Sequence, residues 1–149
     1  MTNLAGASPD TFIDELAGFY IPDMKEAKGF GLSPRVKSVR SVLDKKGYGN
    51  AIAEVKKLQK KDSDFELSER EVNNWGYKLL AQKRPADALE IFKLNVYLYP
   101  QSANAFDSLG EIFAELGNTK LAIKNYAKSL KLNPENKNAE IQVGKLKFE

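Results

Sequence analysis

Residues 103–136 read ANAFDSLGEIFAELGNTKLAIKNYAKSLKLNPEN, and the spacing of apolar and small residues inside this stretch sets the architecture. From Ala103 to Glu115, Phe106, Leu109, Gly110 and Phe113 recur at helical spacing, and from Thr119 to Leu132 so do Ala122, Ile123, Tyr126 and Leu130. Each set lies on one face of a helix, so the stretch predicts two amphipathic helices. Gly117-Asn118 separates them. Glycine suits the left-handed conformation that ends a helix, and asparagine caps the next one. Small residues at Gly110 and Ala122 are expected to let the two helices approach closely, with Phe106, Phe113 and Tyr126 filling the space around the contact. Pro134 ends the second helix.

The pattern repeats. Counting Ala103 as position 1 places Phe106 at 4, Leu109-Gly110 at 7 and 8, Phe113 at 11, Ala122 at 20, Tyr126 at 24 and Pro134 at 32. Moving back 34 residues gives Val72, Trp75-Gly76, Leu79, Ala88, Phe92 and Pro100 at the same positions with no gap. Moving forward 34 gives Glu140, Val143-Gly144 and Lys147, a further first helix that reads as a terminal cap over 137–149. These are the signature positions of the tetratricopeptide repeat, which the chain resembles over 69–102 and 103–136. The resemblance implies an all-α fold, an α-α superhelix of helical hairpins, carrying an N-terminal helical extension.

The first repeat opens on strong start signals. Ser68 and Glu71 form an S-x-x-E capping box, and Leu67 and Val72 stand where a hydrophobic staple would sit. Pro85 occupies the position at which a second helix best tolerates proline. Two departures from the repeat pattern are expected to soften it: Lys83-Arg84 replaces the turn glycine, and Asn95 replaces the small residue at position 27. Trp75, the single tryptophan, is assigned to the core.

Upstream, Ser33-Pro34 reads as an N-cap followed by proline. Val36, Val39, Val42 and Leu43 make the stripe of a helix ending at Gly47, and Ala51, Ile52, Val55 and Leu58 make its partner over about 50–61. The pair reads as a degenerate hairpin within 33–66, with a three-residue insertion near Asp62-Ser63-Asp64. Within 1–32, Ser8-Pro9-Asp10 opens a short helix with Phe12, Ile13, Leu16, Phe19 and Tyr20, stopped by Pro22, and Gly29-Phe30-Gly31-Leu32 reads as a loop.

Composition limits the chemistry. At 149 residues, 42% hydrophobic and 29% charged, the chain fits one soluble domain with a continuous core. No apolar run reaches the roughly 18 residues of a membrane span, and the start lacks a secretory signal, so a cytoplasmic location is the default expectation. Cysteine and histidine are both absent, which excludes disulfides, thiolate and Ser-His-Asp catalysis and the usual zinc sites. No hydrolase elbow, phosphate-binding loop or zincin motif occurs, so no catalytic residue, cofactor or metal is assigned. Nine Lys and Arg against Asp44 and Glu54 give 35–61 a net charge of +7, and with a chain total of +3 the remainder carries −4. That segment reads as a solvated face, with nucleic-acid binding a minor alternative.

By resemblance to the repeat family, positions 2, 5, 9 and 12 of the first helices line a concave face that holds a protein or peptide partner. They are Arg70, Asn73, Tyr77 and Leu80, then Asn104, Asp107, Glu111 and Ala114, then Asn138, Ile141 and Lys145. Chaperone adaptors of this family clamp a C-terminal carboxylate with lysine, arginine and asparagine. The corresponding residues here, Asn73, Tyr77, Ser108, Asn138 and Gln142, include no cation, so that clamp is not expected. Residues 65–145 are also similar to the helical tail of some bacterial serine hydrolases of the esterase and penicillin-recognising types. The expected role is therefore a non-catalytic interaction or scaffolding module, with an accessory or dimerising hydrolase tail as the alternative. A homodimer covering an exposed end of the stack is compatible with either.

Overall fold

The computed structural model describes residues 31–148. The helix expected over 8–22 and the first half of the loop at Gly29-Phe30 lie outside them. Seven α-helices are described: α1 Pro34–Lys46, α2 Ala51–Lys61, α3 Glu69–Ala81, α4 Pro85–Leu98, α5 Ala103–Glu115, α6 Thr119–Leu132 and α7 Lys137–Lys147. A short 3-10 turn, Tyr48–Asn50, joins α1 to α2. No strand occurs among the described residues, and the architecture is the expected α-α repeat. A boundary between Lys37 and Ser38 sets off a compact unit, Ser38–Glu149, which holds both repeats and the packing around Tyr48.

Capping explains the helix starts. Ser68 accepts from the Glu71 amide at 3.2 Å while the Ser68 amide donates to Glu71 Oε2 at 2.9 Å, the complete capping box. Leu67 and Val72 are both buried, as a staple requires. Ser102, Asn118 and Asn136 cap α5, α6 and α7 by accepting from the amides of Ala105, Leu121 and Ala139. Each such cap stabilises its helix by about 1 kcal/mol.

The core follows the 34-residue phase. Helix α3 packs on α4, α5 on α6, α4 on α5 and α6 on α7. Trp75, Leu79, Ala88 and Phe92 are buried in the first hairpin, and Leu109, Phe113, Ala122 and Tyr126 in the second. The glycines act differently from the sequence expectation. What crowds Gly76 and Gly110 is an aromatic ring: a Cβ at Gly76 would fall 2.6 Å from Phe92 Cε1, and one at Gly110 would fall 3.0 Å from Tyr126 Cδ1. The glycine at position 8 is thus the seat for the ring at position 24. Phe106 also differs. It is only half-buried, with Lys128 Nζ 5.8 Å from its ring centroid, whereas Val72 at the same position of the first repeat is fully buried.

Both departures of the first repeat resolve into the geometry of the second. Lys83 adopts φ 64° and Gly117 φ 80°. In each turn the same two bonds close the helix, Lys83 N to Leu80 O with Arg84 N to Leu79 O, and Gly117 N to Ala114 O with Asn118 N to Phe113 O. Lysine therefore pays the left-handed strain that glycine avoids. Asn95, fully buried, donates from Nδ2 to Glu69 O at 3.3 Å, and Ser129, also buried, donates from Oγ to Ala103 O at 2.7 Å. Position 27 ties the second helix to the start of the first in both repeats, and a longer side chain makes the same bond.

Helix α2 and the Tyr48 turn lie on α4. Tyr48 packs edge-on to Trp75 with ring centroids 5.9 Å apart, donates to Asp44 Oδ1 at 2.9 Å and carries the Arg84 guanidinium 5.1 Å above its ring. A left-handed Gly47, φ 97°, turns the chain so that Tyr48 can reach this place.

Two stability outcomes follow from this geometry. Gly76→Ala should cost about 1–3 kcal/mol in urea unfolding and Gly110→Ala less, because the clash at Gly76 is the tighter. Lys83→Gly should raise the unfolding free energy by about 0.5–1 kcal/mol, since it relieves left-handed strain at an exposed site.

Candidate peptide-binding face

The eleven positions picked out on α3, α5 and α7 all lie outside the core. Arg70, Asn104, Glu111, Asn138, Ile141 and Lys145 are exposed, and Asn73, Tyr77, Leu80, Asp107 and Ala114 are half-buried. Their placement follows from the caps: once Ser68, Ser102 and Asn136 fix the first turn of each helix, residues three and four apart share its outer face.

Many of these side chains are joined across repeats. Ser108 donates to Asn73 Oδ1 at 2.8 Å, and the Tyr77 hydroxyl donates to Glu111 Oε1 while lying 3.3 Å from Ser108 Oγ. Asn138 Nδ2 donates to both carboxylate oxygens of Asp107 at 3.0 Å. At the N-terminal ends Ser102 Oγ and Asn104 Nδ2 both donate to Glu69 Oε2. The result is a polar ladder running from α3 through α5 to α7, with the Tyr77 ring edge-on to Phe92 at 5.0 Å. Arg70, Ile141 and Lys145 stand outside these bonded pairs. Leu80 lies at the far end, lining a second groove of about 530 Å³ with Pro85 and Leu116.

Ser108, Glu69 and Ser102 are members of the ladder that the choice of four positions per helix passed over. Their signal was present in the 34-residue register, because each polar bond joins residues 31 to 35 apart. Glu115, Gln142 and Leu146 were passed over as well; with Glu111, Ala114, Tyr126 and Asn138 they line a groove of about 370 Å³ between α5 and α7.

Electrostatics along the face are set by burial. Desolvation, then the bond to Glu111, pushes the Tyr77 hydroxyl up to about 12. Desolvation also raises the Asp107 carboxyl, against the opposing effect of the Asn138 bonds. Among the described residues no group of three or more Asp or Glu side chains is placed to hold a metal ion, and no helix is long and apolar enough to cross a membrane.

A raised tyrosine pKa favours the protonated form in the folded state. Its stabilisation is complete below the ordinary value of 10.0 and is lost as pH rises from there toward about 12. Unfolding free energy should therefore fall over that window, and Tyr77→Phe should make the fall shallower in a pH series of urea titrations.

No family model matches the sequence, and no curated protein matches it. Solved structures do. The first TPR of Spaghetti (RPAP3) bound to the HSP90 peptide SRMEEVD is similar over 75% of this chain and 86% of that one, with a TM-score of 0.52 and 21% identity. Two crystal structures of MamA are similar over 86% and 82% of this chain, with TM-scores of 0.51 and 0.52 and identities of 23% and 20%. This chain spans 63% and 65% of those two structures. The 34-residue period, the helical hairpins built on it and these likenesses identify the fold as that of the tetratricopeptide repeat.

Proposed function

We propose that the chain is a non-catalytic protein-interaction module, and that the face formed by α3, α5 and α7 holds an extended segment of a protein partner. The observation that carries this reading is the polar ladder of two sets of bonds, Asn73, Ser108, Tyr77 and Glu111 between α3 and α5 and Asp107 with Asn138 between α5 and α7, whose members other than the buried Ser108 lie outside the core. Hydrogen-bonded side chains of this kind are held in place before a ligand arrives, which lowers the ordering cost of binding. The peptide complex of the RPAP3 neighbour supports the reading by analogy of fold. Tyr77 and Leu80 supply the apolar anchors, and Asn73, Asp107 and Glu111 orient the backbone of the segment. In this proposal 69–102 and 103–136 are the binding repeats, 33–66 is a degenerate hairpin and 137–149 is the closing helix.

A second reading, a dimerising or accessory tail beside a hydrolase, is favoured by one feature of α7. Ile141 is 54% exposed and Phe148, just after the helix, 91% exposed, and Gly144, at the position where Gly76 and Gly110 each seat a ring, has no atom of the described residues within 4 Å of a Cβ placed there. The basic segment is a poorer candidate for nucleic acid, since Lys46 and Lys57 pair with Glu54 and Lys56 lies over the Tyr97 ring.

Capture of partners from the protein's own lysate, paired with light scattering, decides between the two readings. The proposal expects a monomer that enriches a partner, and loses it in Tyr77→Ala and Leu80→Ala variants that remain helical. Unchanged capture by those variants, or a tight dimer without a partner, would count against it.

A further inference from the structure

Resting on the peptide-binding reading, the chemistry of the α5/α7 groove narrows the class of ligand. Helix α5 carries Asp107, Glu111 and Glu115 four residues apart on one face, a like-charge spacing that weakens a helix in isolation. Among the described residues none of the three has an ion pair, whereas Lys46, Lys57, Arg84, Lys93 and Lys137 pair with Glu54, Asp44, Asp87, Glu90 and Glu140. Glu111 and Glu115 both line the groove of about 370 Å³, whose other walls among the described residues are Ala114, Tyr126, Asn138, Gln142 and Leu146, with no cation.

An independent feature points the same way. Tyr126 is 1% exposed, its ring edge is seated against Gly110, and its side chain lines the groove. That hydroxyl has no hydrogen-bond partner among the described residues, unlike the hydroxyls of Tyr48, Tyr77 and Tyr99. Burial first, then the charges of Asp107 and Glu111, raise its pKa, so it stays neutral and able to accept a bond from a cation. With no partner within the described chain, that hydroxyl is left to meet water or a ligand in the groove.

We propose that this groove takes the arginine or lysine side chain of a bound peptide, with the cationic head between Glu111, Glu115 and the Tyr126 hydroxyl and the methylenes along Ala114 and Leu146. The ligand class is a basic peptide with apolar residues flanking its cations. An acidic segment, such as the end of the SRMEEVD peptide on the RPAP3 neighbour, would meet like charge here.

Calorimetric titration of the full chain with three capped peptides of equal length tests this, leucine alternating with arginine, with glutamine or with glutamate. The arginine peptide should bind at least roughly tenfold tighter than the glutamine peptide, and the glutamate peptide weakest. Glu111→Gln with Glu115→Gln should abolish that preference, and Glu135→Gln should leave it intact. Tyr126→Phe, which keeps the ring on Gly110, should weaken the arginine peptide several-fold without lowering the unfolding midpoint. An arginine peptide that binds no tighter than the glutamine peptide, or a preference that survives the double variant, overturns the proposal. Glutamine-peptide binding that is lost in Tyr77→Ala would in that case preserve the peptide-binding reading, whereas failure of all three peptides would remove both.

Discussion

An aromatic ring lying on a bare glycine backbone is the contact on which the rest of this molecule depends. Phe92 sits on Gly76 and Tyr126 on Gly110, so each hairpin closes at a spacing that a Cβ would crowd, most tightly at Gly76. Once the ring is seated, the second helix is fixed in rotation against the first. Ala88 and Ala122 then bury completely, and Asn95 and Ser129 come within reach of the carbonyls of Glu69 and Ala103. A dispersion contact thus sets the register, and a buried hydrogen bond secures it at the other end of the hairpin. Neither interaction would hold the pair alone, because each is worth little beside the conformational entropy of ordering two helices.

The same register carries from core to surface. With the hairpins repeating every 34 residues, a residue on α3 stands beside its counterpart on α5, and the polar ladder follows as a consequence of that alignment. Tyr77 links the two levels: its ring packs edge-on against Phe92 while its hydroxyl bonds Glu111 on the next repeat. Tyr126, the counterpart of Phe92 in the second hairpin, lines the α5/α7 groove, and its hydroxyl has no partner among the described residues. The functional proposals therefore concern side chains whose positions the core has already determined.

The hairpins were legible in the sequence because periodicity, caps and turn residues all agree there. Helices Ala103–Glu115 and Thr119–Leu132, the Ser68 capping box and the N1 prolines at Pro34 and Pro85 stand where local rules place them. What escaped depends on tertiary partners. Asn95 looks like a defect until its bond to Glu69 is seen, and Lys83 looks like a missing glycine until its left-handed φ shows that the turn is retained. Tyr48 sits in a short glycine-flanked segment with no helical period, so its contact with Trp75 had no local signal. On the binding face the outward positions were readable from the repeat register, but their pairing was not, because a four-position template names lining residues without saying which ones bond to each other.

A double-mutant cycle on Gly76→Ala and Phe92→Leu tests the central contact most directly. If the ring is what the glycine accommodates, shortening it should recover much of the cost of the added methyl, with a coupling of about 1 kcal/mol or more between the two sites in urea unfolding. Additive effects, within about 0.5 kcal/mol, would mean that the glycine serves something other than the ring and would contradict the account.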